Sequence, residues 1–460
     1  MSINPNMSRR RLIGAGAAVG AATLLPTGLL SACAAPAKNG SWQNWSGLYK
    51  SKPSTWLKPT SEAELISSIN KSVGPLRVTG AGHSFSALCK TNDTLISIDE
   101  LSGVISHDPA TQQATMWAGS RLHELGEPLW ARGQSFCNQG DVDVQSLAGA
   151  CGTSTHGTGS RLGSFSAQVR GVRLVTPSGE ILEADTKSQP DLLKAASTSL
   201  GVLGVVTQLT MQNQPTYHLQ EHEFVEPVET VLSKIDDYAK NNRHAEFWVF
   251  FEGDQAIVKL LNETTVPDTE PPMFDLPVSS VLDLSSRIAH GIPGMDGPMQ
   301  SMLLALHSEV RRSGRAYRIF PSDRDSRFNE MEYEIPVEQG PECLQEILAT
   351  VRRSGLRTLF PVEYRLVAAD DVWLSPFYQR DNAAISVHQH VSTDHRPLFE
   401  LVEPIFWKYG GRPHWGKLHS LKARQLAELY PRWDDFQRLR MQLDPQGRML
   451  NEHLRSVLLT

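Results

Sequence analysis

Apolar residues along this chain recur at two spacings, and segments of the two kinds alternate. Leu122, Leu125 and Leu129 fall three and four apart within residues 121–132, which predicts the buried stripe of a helix. Ser61-Glu62-Ala63-Glu64-Leu65 opens another helix, with a capping serine and early acids. Leu76-Arg77-Val78 and residues 94–98, 113–117 and 204–210 follow period two and predict strands. Residues 170–176 and 181–184 flank Pro177-Ser178-Gly179-Glu180 and predict a hairpin. The pattern renews near residue 217, with strands at 246–250, 256–260, 332–336 and around 360 and 387, and a helix near 343–354. Residues 262–300 hold Pro271-Pro272 and Gly291-Ile292-Pro293-Gly294 and predict a long irregular excursion, a type of segment used for lids and binding loops.

The first 33 residues are patterned as an address rather than as part of the fold. Ser8-Arg9-Arg10-Arg11-Leu12-Ile13 precedes an apolar run, residues 12–30, that ends in Leu30-Ser31-Ala32-Cys33. The start resembles a twin-arginine export signal and the end a bacterial lipobox. Pro26 and the many small residues make the run a poor membrane span. The expectation is that residues 1–33 form a twin-arginine lipoprotein signal and that the chain is exported to the periplasm or cell envelope. After signal removal it is expected to contact the membrane only through lipid on Cys33, the mature N-terminus. Residues 34–44 read as a linker. The twin-arginine route carries folded proteins, which suits a chain that must be loaded with a cofactor before it leaves.

Composition narrows the classes. The 460 residues are 40% hydrophobic and 20% charged, with a formal net charge of −6. No long basic run is present, which argues against nucleic acid as the main partner. The five cysteines, Cys33, Cys89, Cys137, Cys151 and Cys343, show no CxxC spacing, so neither a metal site nor a disulfide framework is indicated. The last four are expected as small buried thiols.

Two glycine clusters carry the candidate chemistry. Val78-Thr79-Gly80-Ala81-Gly82-His83-Ser84 runs from a strand into Gly-x-Gly, where bare N–H groups can cradle a pyrophosphate. It lacks the full dinucleotide fingerprint of a Rossmann site. Ser146-Leu147-Ala148-Gly149-Ala150-Cys151-Gly152, continuing to Thr155-His156-Gly157, is built of small and hydroxylated residues that let a ligand approach the backbone. Read separately, each is an ordinary glycine turn. Their order along the chain is far more specific.

Together they resemble the FAD-binding domain of the vanillyl-alcohol-oxidase-like flavoproteins. Glu363-Tyr364-Arg365, Ala368-Ala369-Asp370, Tyr378-Gln379-Arg380-Asp381 and His414-Trp415-Gly416-Lys417 resemble the branch of aldonolactone and alditol oxidases. The resemblance covers nearly all of the chain after the signal, except residues 262–300. It implies an α+β architecture: a two-subdomain FAD-binding domain over 45–216, then an α+β substrate domain with a mainly antiparallel sheet over 217–460. It implies that FAD is bonded covalently to His83. It places Val78, Thr79, Gly80, Ala81, Gly82, His83 and Ser84 on one side of the cofactor, and Ser146, Gly149, Ala150, Cys151 and Gly152 on the other. Val205 or Val206 falls where the family's closing strand touches the cofactor. Lys417 matches the family's lysine, and Glu363 with Arg365 the pair that binds the reacting hydroxyls.

Two positions depart from the alditol-oxidase pattern. Asp141 stands near the position at which alditol oxidases have a substrate-contacting serine. Ser386, His388 and His390 share one face of a strand on which those relatives carry histidine and threonine. His388 is the first candidate for the proton-accepting base and His390 the second; each is equally readable as a core or rim histidine. The implied reaction oxidises a CH–OH group of a small polyhydroxylated substrate, a sugar lactone or an alditol. Hydride passes to flavin N5, and oxygen, a quinone or a cytochrome is the final acceptor. Another sugar or alcohol is the close alternative. A non-enzymatic envelope lipoprotein would have no physical need for His83, Glu363, Arg365 and Lys417 together.

Overall fold

The computed structural model describes residues 40–269, 285–286, 295–322 and 326–459. The expected signal with Cys33, the linker up to residue 39, and residues 270–284 and 287–294 of the excursion lie outside the described residues.

Among the described residues the first half folds as a two-stranded ribbon, Trp42–Gln43 with Lys50–Ser51, and two larger sheets. Thr55–Leu57, Leu76–Thr79 and Thr94–Ser97 pair in parallel, with Thr94–Ser97 in the middle. The connection between the first two is helix Glu62–Lys71, whose cap is the expected Ser61; its hydroxyl accepts the Glu64 N–H at 3.2 Å. The second sheet is antiparallel, in the order Ile181–Asp185, Val169–Val175, Val205–Pro215, Gln113–Trp117, Val104–Asp108. Ile181–Asp185 and Val169–Val175 are the expected hairpin. Helix Leu122–Trp130 buries Leu122, Leu125 and Leu129, as their spacing predicts.

The second half is built on one eight-stranded antiparallel sheet. Its order is Val310–Arg315, His218–Pro227, Gln255–Thr264, His244–Val249, Val362–Val367, Asn382–His390, Phe328–Pro336, Arg412–Pro413. Tyr333, Ile335, Tyr364, Ile385 and Val387 form an apolar face under helices Gly340–Ser354 and Arg396–Lys408. Strand alternation puts Glu330, Glu332, Glu334, Glu363, Arg365, Ser386 and His388 on the other face, and all seven are buried.

The expected excursion is shorter than its composition suggests. Strand Gln255–Thr264 runs into it, because residues 262–264 pair with 218–220, and helix Asp296–Leu306 closes it. The chain end returns to the first half. Arg448 O accepts the Leu76 N–H at 2.7 Å, and Asn451 Nδ2–H donates to the carbonyls of Ala87, Leu88 and Lys90. The buried Arg77 ties these segments by donating to the carbonyls of Leu88, Leu200, Gly201 and Met449. Cys151 and Cys343 are buried and Cys89 and Cys137 partly so, all as free thiols.

Candidate active site

The two glycine clusters meet. A Cβ on Gly80 would lie 2.0 Å from Ser146 Oγ, so only glycine fits there. Gly82 takes φ +68°, the left-handed region that glycine enters without strain. Among the described residues, the amides of Ala81, Gly82, His83 and Ser84 find no acceptor within the protein. Arg121 comes to the same place through its bridge to Ser146. One guanidinium nitrogen pairs with Asp99 at 2.9 Å, while Nη1 is buried without a partner. Open amides beside a guanidinium with one buried, unpartnered nitrogen form a site for a pyrophosphate, so these residues fit FAD.

The remaining cofactor candidates divide by side chain. Val78 and Thr79 end the strand that feeds the loop, and Ser146 caps helix Leu147–Gly152 by accepting the Gly149 N–H at 3.3 Å. Gly152 has open space where a side chain would project. Ala150, Cys151 and Val205 turn their side chains into the apolar core, and Val206 packs partly buried against it. Those four therefore face a ligand, if at all, through their backbone.

His83 and Lys417 lie far apart in sequence and close in space. The Phe85 N–H donates to Gly416 O at 2.7 Å, and Ser86 Oγ–H donates to Trp415 O at 3.1 Å. The His-Trp-Gly-Lys turn is thereby docked on the His83 loop, and Lys417 Nζ sits 5.0 Å from the centre of the Phe85 ring. Burial, reinforced by the charges of Lys417 and Arg121, pushes the His83 imidazole down to about 4. His83 is therefore neutral near pH 7, with a nitrogen lone pair available.

Lys417 connects this loop to the charged sheet face. Its Nζ lies 2.5 Å from Glu330 Oε2 and 3.6 Å from Glu332 Oε2. Burial opposes the ammonium, but the two carboxylates prevail and raise it. Burial also opposes the Glu330 carboxylate, yet Lys417 and His388 hold it down at about 2. Glu332 is held well below the usual range in the same way, against burial, by Lys417 and His156. His156 Nε2 is 2.6 Å from Glu332 Oε1, and Ser386 Oγ–H donates to Glu332 Oε2 at 2.7 Å. At Glu334, two residues on, burial and the Glu332 charge outweigh Arg380 and Lys417 and raise it far above the usual range, so it is neutral.

Glu363 and Arg365 stand one strand away. Arg365 reaches Glu363 Oε1 at 2.5 Å, Glu246 Oε2 at 2.8 Å and Asp141 Oδ2 at 3.6 Å. Glu363 and Ser386 are direct cross-strand partners, as are Ser386 and Glu332. The base candidates separate. His388 Nδ1–H donates to Pro361 O at 2.9 Å, which leaves Nε2, 3.4 Å from Glu330 Oε1, to accept a proton. His390 instead pairs with Ser392 Oγ at 2.7 Å and stacks on Phe360.

Glu330, Glu332, Glu246 and Arg121 belong to this site and were not singled out from the sequence. The Glu-x-Glu-x-Glu run of residues 330–334 was the available signal: period two places three acids on one face of a strand. Glu246 and Arg121 have no local signal, because register and tertiary contact bring them in.

The chain matches the family model described as D-arabinono-1,4-lactone oxidase over residues 209–457, and an FAD-binding domain model over residues 53–185. It is 38% identical to L-gulono-1,4-lactone dehydrogenase of Mycobacterium tuberculosis, over 91% of this chain and 99% of that protein. It is 29% identical to L-gulonolactone oxidase of Bos taurus, over 91% of this chain and 98% of the relative. Among solved structures, a solvent-stable cholesterol oxidase superposes with a TM-score of 0.80 at 17% identity, over 92% of this chain and 98% of the other, and shares the fold.

Proposed function

Because the chain belongs to the D-arabinono-1,4-lactone oxidase family, we propose that it oxidises an aldonolactone through FAD bonded covalently to His83. It is an FAD-dependent oxidoreductase acting on a CH–OH group of a sugar lactone or alditol. The lactone is favoured by the name of the relative that is 38% identical over 91% of the chain. The chemistry that FAD would supply when bound is hydride acceptance from the substrate carbon.

This chain's own residues supply the rest. The amides of residues 81–84, with Arg121 and Ser146, would hold the pyrophosphate. The carboxylates of Glu363 and Asp141 accept hydrogen bonds from substrate hydroxyls, and Arg365, held by three carboxylates, donates to a substrate oxygen. His388 takes the hydroxyl proton at Nε2, and Glu330 stabilises the imidazolium so formed. Lys417 provides fixed positive charge where negative charge develops. The observation that carries this reading is the docking of the Lys417 turn onto the His83 loop, which puts attachment residue, cation and acids in one buried site.

The electrons pass on to oxygen, a quinone or a cytochrome. An envelope location after twin-arginine export, with lipid on Cys33, suits a cofactor that cannot be lost by dissociation. The test of attachment is direct. Acid-denatured protein run on a gel is expected to fluoresce under ultraviolet light, and His83→Ala is expected to abolish the band. A fluorescent His83→Ala band would place the bond elsewhere.

A further inference from the structure

The segment before the first sheet wraps the His83 loop. Trp42 Nε1–H donates to Thr79 Oγ1 at 3.1 Å, the Trp45 N–H to Gly82 O at 2.7 Å, and Asn44 Nδ2–H to Ser84 O at 3.0 Å. These bonds grip the backbone on both sides of His83. The Trp45 ring lies on the His83 imidazole, with centroids 5.2 Å apart and planes 22° apart. Trp45 is itself fixed: its ring meets Phe85 at 5.9 Å and Phe328 at 5.2 Å, both edge-on. Phe328 lies on the strand that carries Glu330, so the aromatic cluster spans the flavin loop and the charged sheet.

We propose that Trp45 is a positioning residue for covalent attachment of FAD, holding the His83 imidazole in the orientation from which its nitrogen forms the bond. The inference rests on His83 being the attachment residue. The new bond joins an imidazole nitrogen to the methyl carbon on the benzenoid ring of the isoalloxazine. One hydrogen leaves that carbon and one leaves the imidazole, and two electrons pass into the ring system. The acceptor of the proposed reaction, oxygen or a quinone, then removes both electrons and both protons. Such a reaction depends on a near-attack geometry, and a loop imidazole without a ring against its face samples many orientations. Burial keeps His83 neutral, which leaves orientation as the remaining requirement.

The test uses full-length chain produced under flavin starvation and mixed with FAD in air. Samples are quenched in acid over time, and intact mass gives the fraction that has gained flavin. Trp45→Leu keeps apolar bulk without a ring face; Trp45→Phe restores a face. Trp45→Leu is expected to hold FAD before the quench but to attach it up to about tenfold more slowly, the scale set by an aromatic contact, with Trp45→Phe recovering most of the rate. A native rate in Trp45→Leu overturns the proposal. So does a Trp45→Phe as slow as Trp45→Leu, or a Trp45→Leu chain that holds no FAD at all, which would make Trp45 part of the binding cradle. His83→Ala run in parallel separates the premises: if that variant gains flavin mass, the attachment residue itself is wrong.

Discussion

In the proposed reaction Lys417 carries the fixed charge, because its ammonium touches both Phe85 of the His83 loop and the acids Glu330 and Glu332 of the sheet. Buried cations of this kind are costly unless paired, and two carboxylates pair this one. Lys417→Ala is expected to keep bound flavin and to slow its bleaching by substrate by about a hundredfold or more, the usual scale for losing a preorganised charge. Stopped-flow reduction measures this, and an unchanged rate would remove Lys417 from the chemistry. The same substitution withdraws the main influence that holds Glu330 down, so the acidic limb of the rate profile should move to higher pH.

At the scale of elements, the first half was far more legible than the second. Its core stripes are apolar, so Leu122, Leu125 and Leu129 announced their helix and residues 94–98 their strand. In the second half the sheet buries charge. Glu221 and Lys259 are buried beside Glu246, and Glu330, Glu332 and Glu334 continue the pattern across the sheet. A strand whose inner face is acidic does not read as alternating apolar and polar, and His218–Pro227 escaped notice for that reason. Motif spacing revealed Glu363, Arg365 and Lys417 without showing that Glu330 joins Lys417 to His388, since that link depends on register. The glycine loops also give an element-scale prediction. Gly80→Ala drives a methyl into Ser146 Oγ, so the purified variant should carry much less flavin per chain by absorbance. A native flavin content in Gly80→Ala would mean that the loops do not meet as described.

For the whole molecule, the buried titratable groups set the acid limit. Burial pushes His244, His414 and His419 down to about 3, and His453 to about 4, so each costs stability as pH falls below 6.5. Glu223, raised to about 7 by burial, Asp370, raised to about 6 by burial, and Glu334 act oppositely and regain stability as they protonate. Between pH 6.5 and 4.5 the four histidines outweigh the three carboxyls, because Asp370 begins to protonate only near 6. Below 4.5 the raised carboxyls have no more to give, while Glu330, Glu332 and Glu246, whose pKa values are lowered, lose stability together with the histidines. The thermal unfolding midpoint should fall as pH drops from 6.5 to 4.5 and more steeply below it; a midpoint that stays level down to pH 4 would contradict this balance. The central claim is that this fold carries a flavin which a sugar lactone reduces. Purified holoprotein should be mixed without oxygen with L-gulono-1,4-lactone, D-arabinono-1,4-lactone, a panel of alditols and aldoses, and the flavin absorbance followed. The account predicts bleaching by a lactone at a rate well above that of any alditol or aldose; a flavin that stays oxidised with every lactone would contradict it.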